Sequence, residues 1–142
     1  MKIIIGSDHA GFKLKEEVKE FLMSKGHEVE DVGAYSEESV DYPEYGSKVA
    51  RGILSKEFDK GIAICGSGIG ISIAANRHKG IRCALCNEPL SAKLTRLHND
   101  ANVLAMGGRM IGTEMAKEIV DVFLNTEFEG GRHVRRVCML DD

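Results

Sequence analysis

The segment Gly61–Arg77, GIAICGSGIGISIAANR, sets a thiol beside a run of glycines. A short apolar stretch ends in Cys65, and Gly66, Gly68 and Gly70 follow at every second position. Glycines there strip side chains from a tight turn into a helix, so that successive N–H groups face outward and favour an anion. A dinucleotide fingerprint would need its third glycine at Ile71, and a Walker loop would need a lysine that this segment lacks. A Cys-x5-Arg phosphatase loop would want arginine where Ile71 stands. What remains is a thiol next to an anion-binding nest. A helix N-terminus favours the thiolate, which suits a nucleophile or a proton-abstracting base. The residues alone leave a second reading open, in which Cys65 is a small buried hydrophobe closing a strand.

Other chemistry-bearing residues are scattered more widely. Asp8-His9 follow the first apolar run, and His98-Asn99 end a helical pattern. Arg132 and Arg136 are four apart; on a helix they share a face and suit a doubly charged phosphate. The alternative for GRHVRR is a solvated basic tail, and no aromatic residues interleave with it as a nucleic-acid patch would require. Cys83 and Cys86 spell a CxxC. On a strand, positions i and i+3 point to opposite faces, which argues against a redox or metal pair. Nothing distinguishes Cys138, near the tail.

These residues need elements to position them. Short apolar runs predict strands at Lys2–Ile5, Glu28–Val32, Gly61–Cys65, Arg82–Cys86 and Val103–Met106. Helical spacing lies between them. Leu14, Val18, Phe21 and Leu22 form one stripe that Gly26 stops. Further helical patterns run over Tyr45–Phe58, Ile71–Asn76, Pro89–His98 and Thr113–Leu124. Such alternation predicts a five-stranded parallel sheet with helices on both faces, and ligands bound outside the carboxyl ends of the strands. Gly6-Ser7-Asp8-His9, Gly33-Ala34-Tyr35, Cys65-Gly66-Ser67-Gly68, Asn87-Glu88 and Gly107-Gly108-Arg109 fall at that edge.

A chain of 142 residues fits one domain, residues 1–142, and a net charge of −3 gives no bulk attraction to nucleic acid or anionic membranes. The apolar runs are too short to span a bilayer, and MKIIIGSDHAGFK reads as a buried strand rather than a signal peptide. Four cysteines do not suggest a disulfide scaffold, so the expected location is a reducing cytoplasm.

Four motifs, GSDHAGFKLK, VDYPEYG, ICGSGIGISIAANR and NDANVLAMGGR, together resemble the ribose-5-phosphate isomerase B family, in order and over almost the whole chain. That family also includes allose-6-phosphate isomerases and galactose-6-phosphate isomerase subunits. The resemblance implies a Rossmann-like, three-layer α/β/α sandwich and a homodimer or dimer of dimers. It implies no metal and no organic cofactor. It also implies aldose–ketose isomerisation of D-ribose 5-phosphate and D-ribulose 5-phosphate in the non-oxidative branch of the pentose phosphate pathway.

By the same resemblance Cys65 is the base at C2, and the N–H groups of Gly66, Ser67, Gly68, Ile69 and Gly70 meet the enediolate charge. His98 opens the furanose ring, with Ser67 assisting at the ring oxygen. Asp8 and Asn99 hold sugar hydroxyls; His9, Arg109, Arg132 and Arg136 hold the phosphate. The pocket is shared between two subunits. One branch of the family carries a glutamate base where this chain has Ile71, so the sequence sides with the cysteine-base branch. Serine at 67, where that branch often has threonine, keeps the hydroxyl but opens the choice between pentose and hexose phosphates. Two other readings remain: a non-catalytic phosphosugar- or nucleotide-binding module, and, more distantly, a disulfide oxidoreductase using Cys83 and Cys86.

Overall fold

The computed structural model describes residues 1–141. Five strands, β1 (Lys2–Ser7), β2 (Glu28–Asp31), β3 (Lys60–Cys65), β4 (Cys83–Leu85) and β5 (Val103–Gly107), form one sheet in the order β2-β1-β3-β5-β4. Every pairing is parallel. The helices are α1 (Phe12–Ser24), α2 (Tyr42–Leu54), α3 (Ile69–Asn76), α4 (Pro89–Asn99), α5 (Thr113–Asn125) and α6 (His133–Met139). None of the described helices is long and apolar enough to cross a membrane.

The two-residue period of the strands sorts the core into two layers. Ile3, Ile5, Ile62, Ile64, Leu104 and Met106 face α1, α4 and α5, where Val18, Leu22, Ala92, Ile119 and Phe123 complete a buried cluster. Ile4, Ala63, Cys65, Val103 and Ala105 face the other way, onto Val49 and Ala50 of α2 and Ile71 and Ala75 of α3. The expected sandwich of helices on both faces of a parallel sheet is therefore present. The order reverses between β1 and β3, from which the chain winds outward in opposite directions. Ligands of open α/β sheets bind at such a switch point.

Several boundaries differ from those read in the sequence. Helix α2 starts at Tyr42 rather than Tyr45, because Pro43 sits in its first turn, where a missing N–H costs nothing. It ends at Leu54 rather than Phe58, and Lys56 follows with φ of 65°. Helix α3 starts at Ile69, two residues before the predicted Ile71. The GRHVRR segment is not a solvated tail. It forms α6, which packs on α4 and buries His133.

Candidate active site

A cleft of about 540 Å³ opens at the switch point, lined by residues that follow β1, β3 and β5. Asp8, His9, Cys65, Gly66, Ser67, Ile69, Gly70 and Arg109 all border it, together with Tyr42 and Met110. The strand ends are tied to one another. Asp8 N–H donates to Ile64 O at 3.2 Å, Gly108 N–H to Cys65 O at 2.8 Å and Arg109 N–H to Gly66 O at 2.9 Å. The three loops thus form one surface instead of three mobile ones.

Cys65 belongs both to the core and to the wall of the cleft. It is 4% exposed and packs with the α2/α3 layer, yet it also borders the cleft. The Gly68 N–H donates to its Sγ at 3.2 Å, so negative charge on sulfur would meet a backbone donor. The Ile69 N–H donates to Ser67 Oγ at 3.1 Å. Gly70 and Ile71 follow in the first turn of α3, where N–H groups have no partner within the helix.

The glycines have distinct reasons. Gly68 caps α3 with φ of 79°, and a Cβ there would stand 2.7 Å from the Met106 carbonyl carbon. Gly70 is helical; its missing side chain makes room for the Tyr42 ring, which a Cβ would meet at 2.6 Å. A nest reading alone would not have found Tyr42, which packs here from the VDYPEYG segment.

Asp8 is buried and accepts the Gly11 N–H at 3.1 Å through Oδ1. His9 Nδ1 accepts the Val40 N–H at 3.1 Å. In the neutral ring the proton then sits on Nε2, which is left to donate. Behind this edge lies a buried ion cluster that the sequence did not announce. Lys15, 0% exposed, donates to Asp31 at 2.6 Å, and Lys19 does so at 3.0 Å. Asp31 also accepts the Gly33 N–H at 2.9 Å. Burial pushes the Asp31 carboxyl up, but these hydrogen bonds outweigh it and hold it below its ordinary value. Gly33 O in turn accepts from Ser7 N–H at 2.7 Å, one residue before Asp8.

His98, Asn99, Arg132 and Arg136 are not in this cleft. Helix α4 runs back from the carboxyl edge, and its end lies near Asn102, whose carbonyl accepts from Gly61 at the start of β3. From Gly61 to Cys65 is roughly 13 Å of extended strand. Helix α4 also belongs to the opposite layer from Cys65. His98, Asn99 and Arg136 line their own pocket of about 300 Å³, with His133, Val137 and Leu140. Arg132 caps α6, exposed, one turn before Arg136. Two arginines fix this helix end: Arg82 Nε donates to Asn99 O at 3.1 Å and Asp100 O at 2.9 Å. Arg96 reaches Asp100 Oδ1 at 2.8 Å.

Cys83 and Cys86 fall on opposite sides of the sheet, as strand spacing required. Burial pushes their thiols up to about 12 and about 11, unsuited to thiol–disulfide exchange. Glu88, at the carboxyl edge, caps α4 by accepting from Ser91 and does not border the cleft.

A thiol at the switch point of a parallel sheet, with a helix start, an imidazole donor and an arginine around it, defines an α/β protein for small anionic substrates. The chain belongs to the ribose/galactose isomerase family, whose model matches residues 3–140. It is 54% identical to the ribose-5-phosphate isomerase B of Escherichia coli over 136 residues, 96% of this chain and 91% of that one. A crystal structure of a ribose 5-phosphate isomerase from Thermotoga maritima, 61% identical, superposes with a TM-score of 0.97 over 99% of this chain and 97% of that one. The galactose-6-phosphate isomerase subunit LacA of Clostridium acetobutylicum is 41% identical over 99% of this chain and 98% of its own length.

Proposed function

We propose that this protein is an aldose–ketose isomerase that interconverts D-ribose 5-phosphate and D-ribulose 5-phosphate through an enediolate. The observation that carries the chemistry is the Cys65 sulfur, bordering the cleft with the Gly68 N–H on it. A thiolate there takes the proton from C2 and returns it to C1 on the same face. Negative charge on the enediolate oxygen is met by the N–H groups of the Gly66–Gly70 turn, of which those of Gly68 and Ile69 already donate to Cys65 Sγ and Ser67 Oγ. No redox partner enters, because the hydrogen lost at one carbon is regained at the next.

His9, through Nε2, and Arg109 hold the phosphate, while Asp8 accepts from a sugar hydroxyl. That anchorage keeps C1 and C2 against the sulfur. Ring opening is assigned to His98, with Ser67 at the ring oxygen, and Asn99, Arg132 and Arg136 complete the sugar and phosphate contacts. A general acid must come within about 3 Å of its target, so His98 cannot serve the Cys65 of its own chain across the sheet. We therefore assign the complete site to two copies of the chain, each giving its His98 face to the other's Cys65 cleft. The rims support this pairing. Tyr42, Ile69 and Met110 around the cleft are exposed, and so are Leu140 at the His98 pocket and Val134 and Met139 on α6. Exposed apolar rims of this kind mark contact surfaces. The proposed setting is the cytoplasm and the pentose phosphate pathway.

The test is a substrate panel. Wild-type protein should show a higher kcat/KM for ribose 5-phosphate than for allose 6-phosphate or galactose 6-phosphate. Cys65→Ala should lower kcat by about 10²–10⁴-fold, the usual worth of a positioned base. Near-normal turnover by Cys65→Ala would end the base assignment. A preference for a hexose phosphate would instead move the protein toward the galactose-6-phosphate side of its family.

A further inference from the structure

The pocket between α4 and α6 holds a constellation that ring opening does not exhaust. His98 and His133 stack with ring centroids 4.6 Å apart and planes inclined by 22°. Glu129 lies in the segment leading into α6, four residues before His133, and places a carboxylate oxygen 3.7 Å from His133 Nε2, too far for a hydrogen bond. The Glu129 N–H donates to Leu97 O at 3.2 Å, which pins its backbone beside His98. One donor atom from each of the three residues lies within 4.8 Å of the others. His133 is 6% exposed, and its Nε2 is buried without a hydrogen-bond partner among the described residues. A buried polar atom left so is costly and calls for a partner.

We propose that His98, Glu129 and His133 form a binding site for a borderline-soft divalent cation, with Zn²⁺ the best match. Two imidazoles and a carboxylate are a recurrent zinc donor set, with a fourth position left to water. Zinc bonds of about 2.0–2.2 Å bring tetrahedral donors closer together than the present spread. The Glu129 side chain, 53% exposed, is free to rotate and close that gap. The cation supplies the partner that His133 Nε2 lacks. Arg136 lines the same pocket, and its charge opposes a cation, so the site is weaker than a closed structural zinc centre. The metal is not needed for isomerisation. It occupies the His98 nitrogen and so acts as a reversible inhibitor; this consequence, unlike the binding, rests on the ring-opening role proposed above.

Co²⁺ and Zn²⁺ titrations of the full chain test the site. One Co²⁺ per chain should bind both wild type and Cys65→Ala, with ligand-field bands and no thiolate-to-cobalt charge-transfer band. Glu129→Gln should weaken Zn²⁺ binding about tenfold or more, while its metal-free turnover stays at the wild-type level. His133→Gln should weaken binding similarly; should it fail to fold, Glu129→Gln still decides. Unchanged Zn²⁺ affinity in Glu129→Gln, or a charge-transfer band that Cys65→Ala abolishes, would overturn the proposal. Zn²⁺ should slow wild-type turnover, a chelator should restore it, and Glu129→Gln should resist it. Binding as stated with turnover unaffected would uphold the metal site and remove His98 from ring opening instead.

Discussion

The two chemistry-bearing regions of this chain are built differently. The Cys65 cleft stands on strand ends at the switch point, cross-tied by backbone hydrogen bonds and backed by both core layers. The His98 pocket stands on the end of one helix and the face of a seven-residue helix, held by arginine side chains at the other end of the sheet. The first region includes main-chain donors, which cannot swing away as side chains can. The second is built from side chains, of which His133 alone is buried. In the function proposed above, the cleft supplies the base and the oxyanion donors and the pocket supplies the ring-opening imidazole, so neither is whole by itself.

Damage to the cleft's support should cost the most. Asp31→Asn removes the carboxylate that neutralises Lys15, which is wholly buried. Breaking such a pair typically costs 3–5 kcal/mol; Glu16 remains 3.2 Å from Lys15, so about 3 kcal/mol is expected by urea unfolding at neutral pH. The pH dependence has a definite sign. Asp31 titrates lower in the folded chain than its ordinary 3.8. Its contribution is therefore complete above that value and is lost as pH falls through the lower, folded one. The gap between wild type and Asp31→Asn should narrow only below about pH 4. A gap that is constant into acid would mean that the cluster contributes shape and not charge.

A smaller effect should follow on the other side. Arg82→Ala takes two hydrogen bonds from the α4 end. Hydrogen bonds to charged groups are worth about 1.5–3 kcal/mol when buried, and partial exposure should leave about 1 kcal/mol here. Turnover should fall as His98 loosens, while the rate of Cys65 alkylation by iodoacetamide stays the same. Faster or slower alkylation would show that the two regions are mechanically coupled within one chain.

The same contrast governs how much of the molecule was legible in its sequence. The cleft was readable because its residues directly follow apolar runs, so locating the strands located Asp8, His9, Cys65 and Arg109. CxxC was readable for the same reason, since strand alternation separates Cys83 from Cys86. Tyr42 was not, because its contact with Gly70 joins segments far apart in the chain. Nor was Lys15, whose position in a helix looks solvent-facing until Asp31 arrives from β2. His133 was hidden by its neighbours, since Arg132, Arg135 and Arg136 make the segment look solvated while one residue turns inward. Burial decided by a distant partner leaves no periodic trace.

The division of labour between two copies is tested most directly by mixing two inactive variants. Cys65→Ala and His98→Ala chains are co-expressed in equal amounts and their isomerase activity is compared with each parent alone. In a two-fold dimer with shared sites, a mixed pair contains one intact site, and random pairing makes half of all dimers mixed. Activity should therefore return to about a quarter of wild type. Activity no greater than the sum of the parents would place Cys65 and His98 in service of the same chain and contradict the account.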